Sequence, residues 1–459
     1  VALVLAAAGC APGGSSHAAA LAGPSPATAS LAPAPGVTAD AASLTVPVAK
    51  PTAASTFVGV PDPDGGARAR SRVTLLSSGA ALVTGGVTAK GATGQVLYYD
   101  PVAASFTVLA GAELAFARYD HEATLLPSGS EVLVTGGFDG HTQLASVELI
   151  ELDLKSPQAS RSQQLSALPE GRAEHRAVLV PVGAKTGKPW SGGASVLVVG
   201  GCVARPGRNA VPSSSSFLYT LETGADGHVR SGRAVPSASQ PRVARFGHQA
   251  ILLPGADRTL GTDDDRVLVW GGFGADADAV GEETTMGPLA APEVYEPSLD
   301  RWSTVRVEGT APAPRFEHRM ALTADGGALI VGGQSSTTPP VAPASVATLE
   351  LDAHDPTLGR AGTGANLAHG RVAPEIATLE DGRILVSGGF DPVRNVALDD
   401  AEVLSANGQS VEPPVSIGQG RYDHGLAAIG LSQVLVFGGR SSPETFGSPS
   451  SGLLLLLDR

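Results

Sequence analysis

The stretch EVLVTGG (131–137) runs an apolar segment into a pair of glycines, and six further segments do the same. They are ALVTGG (81–86), VLVVGG (196–201), VLVWGG (267–272), LIVGG (329–333), ILVSGG (384–389) and VLVFGG (434–439). Successive doublets lie 51, 64, 71, 61, 56 and 50 residues apart. A short apolar run bounded by glycine reads as a buried strand. A doublet at its end marks a sharp bend where backbone must come close to backbone and a Cβ would clash.

Working outward, a second shared element precedes the doublets. It reads ARYDHEATLL (117–126), GRAEHRAVLV (171–180), ARFGHQAILL (244–253), PRFEHRMALT (314–323) and GRYDHGLAAI (420–429), with degenerate copies RSRVTLL (70–76) and GRVAPEIATL (370–379). Downstream of most doublets comes a third strand, as in QVLYYDP (95–101), SVELIEL (146–152), FLYTLE (217–222), PEVYEP (292–297) and SVATLELD (345–352). A fourth is clearest in SFTVL (105–109) and RWSTV (301–305). Self-similarity at such a period is the mark of a repeat architecture, and each unit here has room for four strands.

Composition agrees with an all-β reading. The 459 residues include 58 Gly and 35 Pro, with 16% charged residues and 4% aromatics. That mixture suits short strands and tight turns rather than a helical bundle. The formal net charge of −13 argues against a surface that tracks phosphates, so no nucleic-acid partner is expected. No GxSxG elbow, Walker loop or HExxH element occurs, which sets aside several hydrolase classes.

The repeat resembles the kelch motif: a strand, a Gly-Gly doublet, an aromatic before a short turn, then Trp or Phe. The resemblance covers roughly residues 55–459. It implies a seven-bladed kelch-type β-propeller over 51–459, with edges protected by radial closure. The second, fifth and sixth copies depart from it, having Leu or Val for the third-strand Tyr. The last copy lacks a fourth strand, and STFVGV (55–60) is expected to supply it, closing the ring from the N-terminal side.

The first ten residues, VALVLAAAGC, look like the end of an export signal. Cys10 after Ala-Gly resembles a bacterial lipobox, although Ala7 stands where Leu is favoured; the alternative is ordinary cleavage after Ala8. Residues 11–50, rich in Ala, Pro and Ser, read as a flexible linker. The expected address is therefore the cell envelope, held by lipid on Cys10, or secretion where the lipobox is not used. Cys202 follows a buried strand and is expected to be a small core residue or shielded thiol.

Five Arg-x-x-His pairs repeat: Arg118 with His121, Arg172 with His175, Arg245 with His248, Arg315 with His318 and Arg421 with His424. They form an ion-binding ring on one reading and serve each blade structurally on the other. Repetition favours the structural role, because a ligand lacks the symmetry of the blades.

Asymmetry is the better pointer to function. The long second-to-third-strand loops of copies three to five carry Arg205 and Arg208, then Asp276, Asp278, Glu282 and Glu283. They are the candidate contact surface for a protein or glycan. Asp263, Asp264 and Asp265 form a weak calcium candidate whose spacing departs from an EF-hand loop. No other metal and no cofactor is expected, and the chain reads as a monomer.

The expected function is that of a binding or scaffold protein, not an enzyme. The alternative is a carbohydrate-active enzyme, since sialic-acid epimerases and galactose oxidase use kelch rings. The copper oxidase needs a Cys–Tyr cross-link, and nothing around Cys202 matches that motif. An intracellular adaptor is disfavoured by the export signal.

Overall fold

The computed structural model describes residues 56–60, 68–181, 194–205, 208–275, 286–430, 433–443 and 452–456. The signal-like segment, Cys10 and the 11–50 linker lie outside these residues. The protein is all-β, and its only helical turns among the described residues are Ala110–Ala112 and Pro157–Ala159, both 3₁₀.

Each repeat folds into its own antiparallel sheet, with strands in sequence order from first to fourth. The first sheet joins Arg72–Leu75, Ala81–Thr84, Val96–Asp100 and Ser105–Val108. Sheets two to four begin at Glu122–Leu125, Arg176–Pro181 and Gln249–Leu253. The fifth and sixth begin at Phe316–Leu322 and Glu375–Thr378. The fifth gains an extra edge strand, Arg306–Gly309, which runs parallel to Leu358–Asn366. The seventh joins Gly425–Gly430, Gln433–Phe437 and Gly452–Leu456, and its fourth strand is Thr56–Val60, with Val58 opposite Leu454.

The strand that runs into each doublet is mainly apolar because both its faces are covered. In the second sheet, Glu131–Thr135 is buried throughout, as is Arg266–Trp270 in the fourth. One side chain set packs on the preceding sheet and the other on the following one. Leu82 and Tyr98 of the first sheet meet Val132 and Val134 of the second. Leu133 and Leu149 meet Val196 and Val198 of the third. The series continues to Leu385 of the sixth sheet against Val434 and Val436 of the seventh. Leu435 and Ile429 of the seventh then pack on Ala81 and Tyr99 of the first. Each buried Val or Leu contributes about 1.5–3 kcal/mol, so the core is distributed over many equivalent interfaces.

The doublets knit neighbouring sheets together. The second glycine donates its N–H to the carbonyl of the motif arginine in the next repeat: Gly86 to Arg118 at 2.7 Å, Gly137 to Arg172 at 2.8 Å and Gly201 to Arg245 at 2.8 Å. Gly272, Gly333 and Gly389 do the same to Arg315, Arg371 and Arg421. Gly439 of the last repeat donates to Arg68 of the first at 2.8 Å. Close approach forbids a side chain here. A Cβ on Gly271, whose φ is +69°, would lie 2.6 Å from both the Arg315 carbonyl oxygen and His318 Cε1.

Gly271→Ala is therefore expected to lower unfolding free energy by more than about 2 kcal/mol, read from denaturant midpoints. A smaller loss would mean that the neighbouring sheet yields. Deleting residues 51–61 removes the strand paired with Gly452–Leu456. The melting temperature should fall by at least about 5 °C; unchanged melting would show that this pairing carries no stability.

Candidate functional site

The motif arginines are among the most deeply buried charges of the described residues. Arg118, Arg172, Arg245, Arg315 and Arg421 are at most 1% exposed. Each sends Nη1 to the carbonyl of the first doublet glycine in its own repeat, at 2.7 Å for Gly136 and 2.8 Å for Gly200. The distances are 2.9 Å for Gly271, 3.1 Å for Gly332 and 3.0 Å for Gly438. The degenerate copies do likewise, with Arg68 on Gly85 at 3.3 Å and Arg371 on Gly388 at 2.9 Å. Several also pair with a buried carboxylate: Arg118 with Glu148, Arg245 with Glu293 at 2.7 Å and Arg371 with Glu402. Removing one partner of such a pair strands a buried charge, at a cost of about 3–5 kcal/mol.

Three of the histidines bridge sheets instead of meeting around an ion. His121 Nε2 bonds Thr84 Oγ1 of the preceding sheet at 2.8 Å, His175 bonds Thr135 at 2.9 Å and His424 bonds Ser387 at 3.2 Å. Where that hydroxyl gives way to Trp270, the His318 ring packs edge-on against the indole with centroids 4.9 Å apart. The five rings touch the doublets, which is why a Cβ on Gly136 would lie 2.8 Å from His175 Cε1. Burial, reinforced in His121, His175, His248 and His318 by nearby arginines, holds these rings well below the ordinary histidine range. Burial also takes His424 down to about 3.

The calcium candidate dissolves into a loop staple. Asp264 accepts from the Asp257 N–H at 3.1 Å and from Thr262 Oγ1 at 2.7 Å. Asp265 accepts from the Gly261 N–H at 2.6 Å. Two of the three carboxylates, Asp264 and Asp265, thus face the loop's own donors. Among the described residues no group of His, Cys, Asp and Glu side chains is disposed to hold a metal. Cys202 is also corrected: it is 2% exposed, but it is disulfide-bonded rather than a free thiol.

The candidate contact loops are described in part. Arg205 and Arg208 end two paired strands, Cys202–Arg205 and Arg208–Pro212, and stand opposite each other in register. Asp276, Asp278, Glu282 and Glu283 lie outside the described residues. Their flanks form a second hairpin, Phe273–Ala275 with Gly287–Pro288, and the fifth repeat adds a third, Ser336–Thr337 with Pro340–Val341. The three lie side by side. Ser213, just past the first hairpin, bridges to Arg245, while Gly287–Pro288 touches Ser336–Thr337.

A charged cluster absent from the sequence reading lies where the first strands begin. All seven residues two positions after the motif arginine have left-handed backbones: Arg70, Asp120, Glu174, Gly247, Glu317, Ala373 and Asp423, with φ between 48° and 60°. For the six non-glycines this conformation costs about 1–2 kcal/mol each. It is held by backbone bonds between repeats, including Arg70 N–H to Asp423 at 2.9 Å and Glu174 N–H to Asp120 at 3.0 Å. Residues at this position or two onward line one cavity of about 50 Å³ to which every repeat contributes, the sixth through Glu375 and not Ala373.

Ion pairs account for most of the cluster. Arg70 bridges Asp120 at 2.6 Å and Asp423 at 3.1 Å. Arg72 and Arg176 share Glu122 at 2.6 and 2.5 Å, and Arg319 holds Glu375 at 2.5 Å. Glu174 Oε2 is shut off from solvent and accepts no hydrogen bond. Burial, then the charges of Asp120 and Glu317, raises the Glu174 carboxyl well above its usual range; burial raises Glu317 too.

No family model matches the chain.

The buried histidines set the sign of the pH dependence. Each folded ring excludes a proton that the unfolded chain takes up below about pH 6.5. Stability should therefore fall as pH drops from 7 to 5, each histidine contributing up to about 1.4 kcal/mol per pH unit. Glu174, Glu317, Glu402 and Asp265, the last raised to about 6, act oppositely, being protonated more readily when folded. With five groups against four, unfolding near pH 5 should still take up protons, measured from urea midpoints across pH. A flat or rising stability over that interval would refute the assignment.

Proposed function

We propose that this chain is an exported, seven-bladed kelch-type β-propeller that works as a binding protein, presenting the hairpins of its third, fourth and fifth blades to a protein or glycan. The succession of seven sheets, with Gly439 of the last bonded to Arg68 of the first, supports the ring. The observation that carries the binding role is the contiguous rim of three hairpins, built on sheets whose repeated arginines and histidines are already engaged within the fold. A rigid scaffold that holds variable loops together is the usual architecture of a recognition surface.

The carbohydrate-active enzyme is the second reading, and the central cavity is the feature in its favour. At about 50 Å³ it is far smaller than the roughly 300 Å³ at which ligand pockets begin. The five repeated histidines are at most 3% exposed and so do not reach a substrate.

Export remains part of the proposal, and the disulfide at Cys202 supports an oxidising compartment. The chain has two cysteines, so a lipid thioether on Cys10 and a bond from Cys10 to Cys202 are alternatives. The mass of the Cys10 peptide from the membrane fraction decides between them.

The binding role is tested by screening the full chain on glycan and envelope-protein arrays, beside Arg205→Glu with Arg208→Glu. The expected result is a saturable ligand whose affinity drops at least tenfold in the charge-reversed form. A ligand bound equally by both forms would move the contact surface elsewhere, and turnover of an arrayed sugar would make the protein an enzyme.

A further inference from the structure

At the strand ends remote from the doublets the repeats stop resembling one another. The position that opens the second strand holds Ala80, Glu131, Ser195, Arg266, Gly327, Arg383 and Gln433 in the seven repeats. Only the second repeat has an acid there, and Glu131 is 1% exposed. Its surroundings are equally individual. The third repeat builds a long hairpin, Ser216–Thr223 with Val229–Pro236, whose near end reaches back to the second sheet. The second repeat's own third and fourth strands are joined through the 3₁₀ turn Pro157–Ala159. Between the hairpin end and this turn lies a cleft of about 490 Å³, which Glu131, His228, Lys155, Arg161 and Arg230 help to line. That volume falls within the range of ligand sites, roughly 300–1,000 Å³.

Glu131 is held by one oxygen only. Oε1 accepts the Val229 N–H at 2.9 Å and lies 3.4 Å from His228 Nδ1. Among the described residues no donor meets Oε2. Unlike Glu174 Oε2 it is not sealed from solvent, and the space it adjoins is the cleft. An enclosed carboxylate is costly until its lone pairs are met. Tethering the hairpin does not require an acid, because an amide oxygen would accept the Val229 N–H as well. The tether therefore accounts for Oε1 and leaves Oε2 open.

The charges around that oxygen select its occupant. Arg161 pairs with Glu151 at 2.5 Å and Arg230 pairs with Asp226. Asp153 accepts the N–H groups of its own turn, at Lys155 and Ser156. The Lys155 ammonium meets no partner among the described residues. A cationic ligand would meet Lys155 and the two arginines, and an anionic one would meet Glu131. A hydroxyl escapes both penalties, since it donates one hydrogen bond and accepts two. Leu154, 38% exposed beside these groups, offers a patch for C–H faces.

We propose that the cleft between the second and third repeats binds a neutral polyhydroxylated ligand, a pyranose unit of a glycan. Glu131 Oε2 accepts from one hydroxyl, and Lys155 donates to another. The site lies at the opposite strand ends from the hairpin rim and stands whether or not the rim binds.

The test is titration of the full chain, followed by saturation-transfer NMR, with methyl pyranosides of glucose, galactose, mannose and N-acetylglucosamine. Methylammonium, acetate and glycine serve as cation, anion and zwitterion. The expected result is saturable binding of at least one pyranoside, tighter than any of the three charged probes. Glu131→Gln keeps an acceptor for Val229 but places an amide N–H at the open oxygen, and should bind at least about tenfold more weakly. Lys155→Met removes a side chain bonded to nothing in the fold, and should weaken binding at least about threefold while melting with the parent. Arg205→Glu with Arg208→Glu should bind as the parent does. A parent that binds none of the pyranosides, or equal binding by both cleft variants, overturns the proposal. Tighter binding of a charged probe overturns it too, as does loss of pyranoside binding in the Arg205 and Arg208 variant, which would move the sugar to the rim.

Discussion

The second doublet glycine and the next repeat's arginine form the contact on which the remaining structure depends. One backbone N–H crosses from sheet to sheet, and the same arginine turns its guanidinium back to the first glycine of its own repeat. Both ends of this link need glycine, because the partner carbonyl and the histidine ring occupy the place of a Cβ. The arginine is in turn acceptable in the core only because carbonyls and carboxylates surround it. Doublet, arginine and histidine are thus one device, and losing any of them exposes the others' unmet hydrogen bonds.

That device explains what was legible in the sequence. The doublets recur every 50–71 residues and end mainly apolar runs, so seven sheets could be counted from them. The fourth strand of the last sheet was legible for the same reason: one unit was short, and STFVGV had the right character. Arg68 and Arg371 were harder, because Ser71 and Pro374 replace the histidine and blur the register. Alignment on the arginine alone would have found them. The hydroxyl-to-histidine bonds were legible only as a pair of positions in different repeats, Thr84 with His121 or Ser387 with His424, which no local pattern announces.

The central charges were invisible for the opposite reason. At one position the repeats have Arg70, Asp120, Glu174, Gly247, Glu317, Ala373 and Asp423, which looks like drift in a variable site. The fold fixes their left-handed backbone and their convergence but leaves their chemistry free. A motif search rewards identity between repeats, whereas a ligand needs difference between them. The signal was present as five charged residues beside a motif, at a position where glycine or asparagine would be less strained.

The same contrast ranks the candidate sites. The arginines, which recur in every repeat, are enclosed and bonded to the doublets, and the five histidines are enclosed and held in the charge state that suits burial. Groups that differ, at the cavity and on the three hairpins, carry the molecule's individuality. Glu174 and Glu317 are the carboxylates of the central cluster that no ion pair joins among the described residues. Burial raises both carboxyls above the ordinary range, which lowers the cost of enclosing them without a partner.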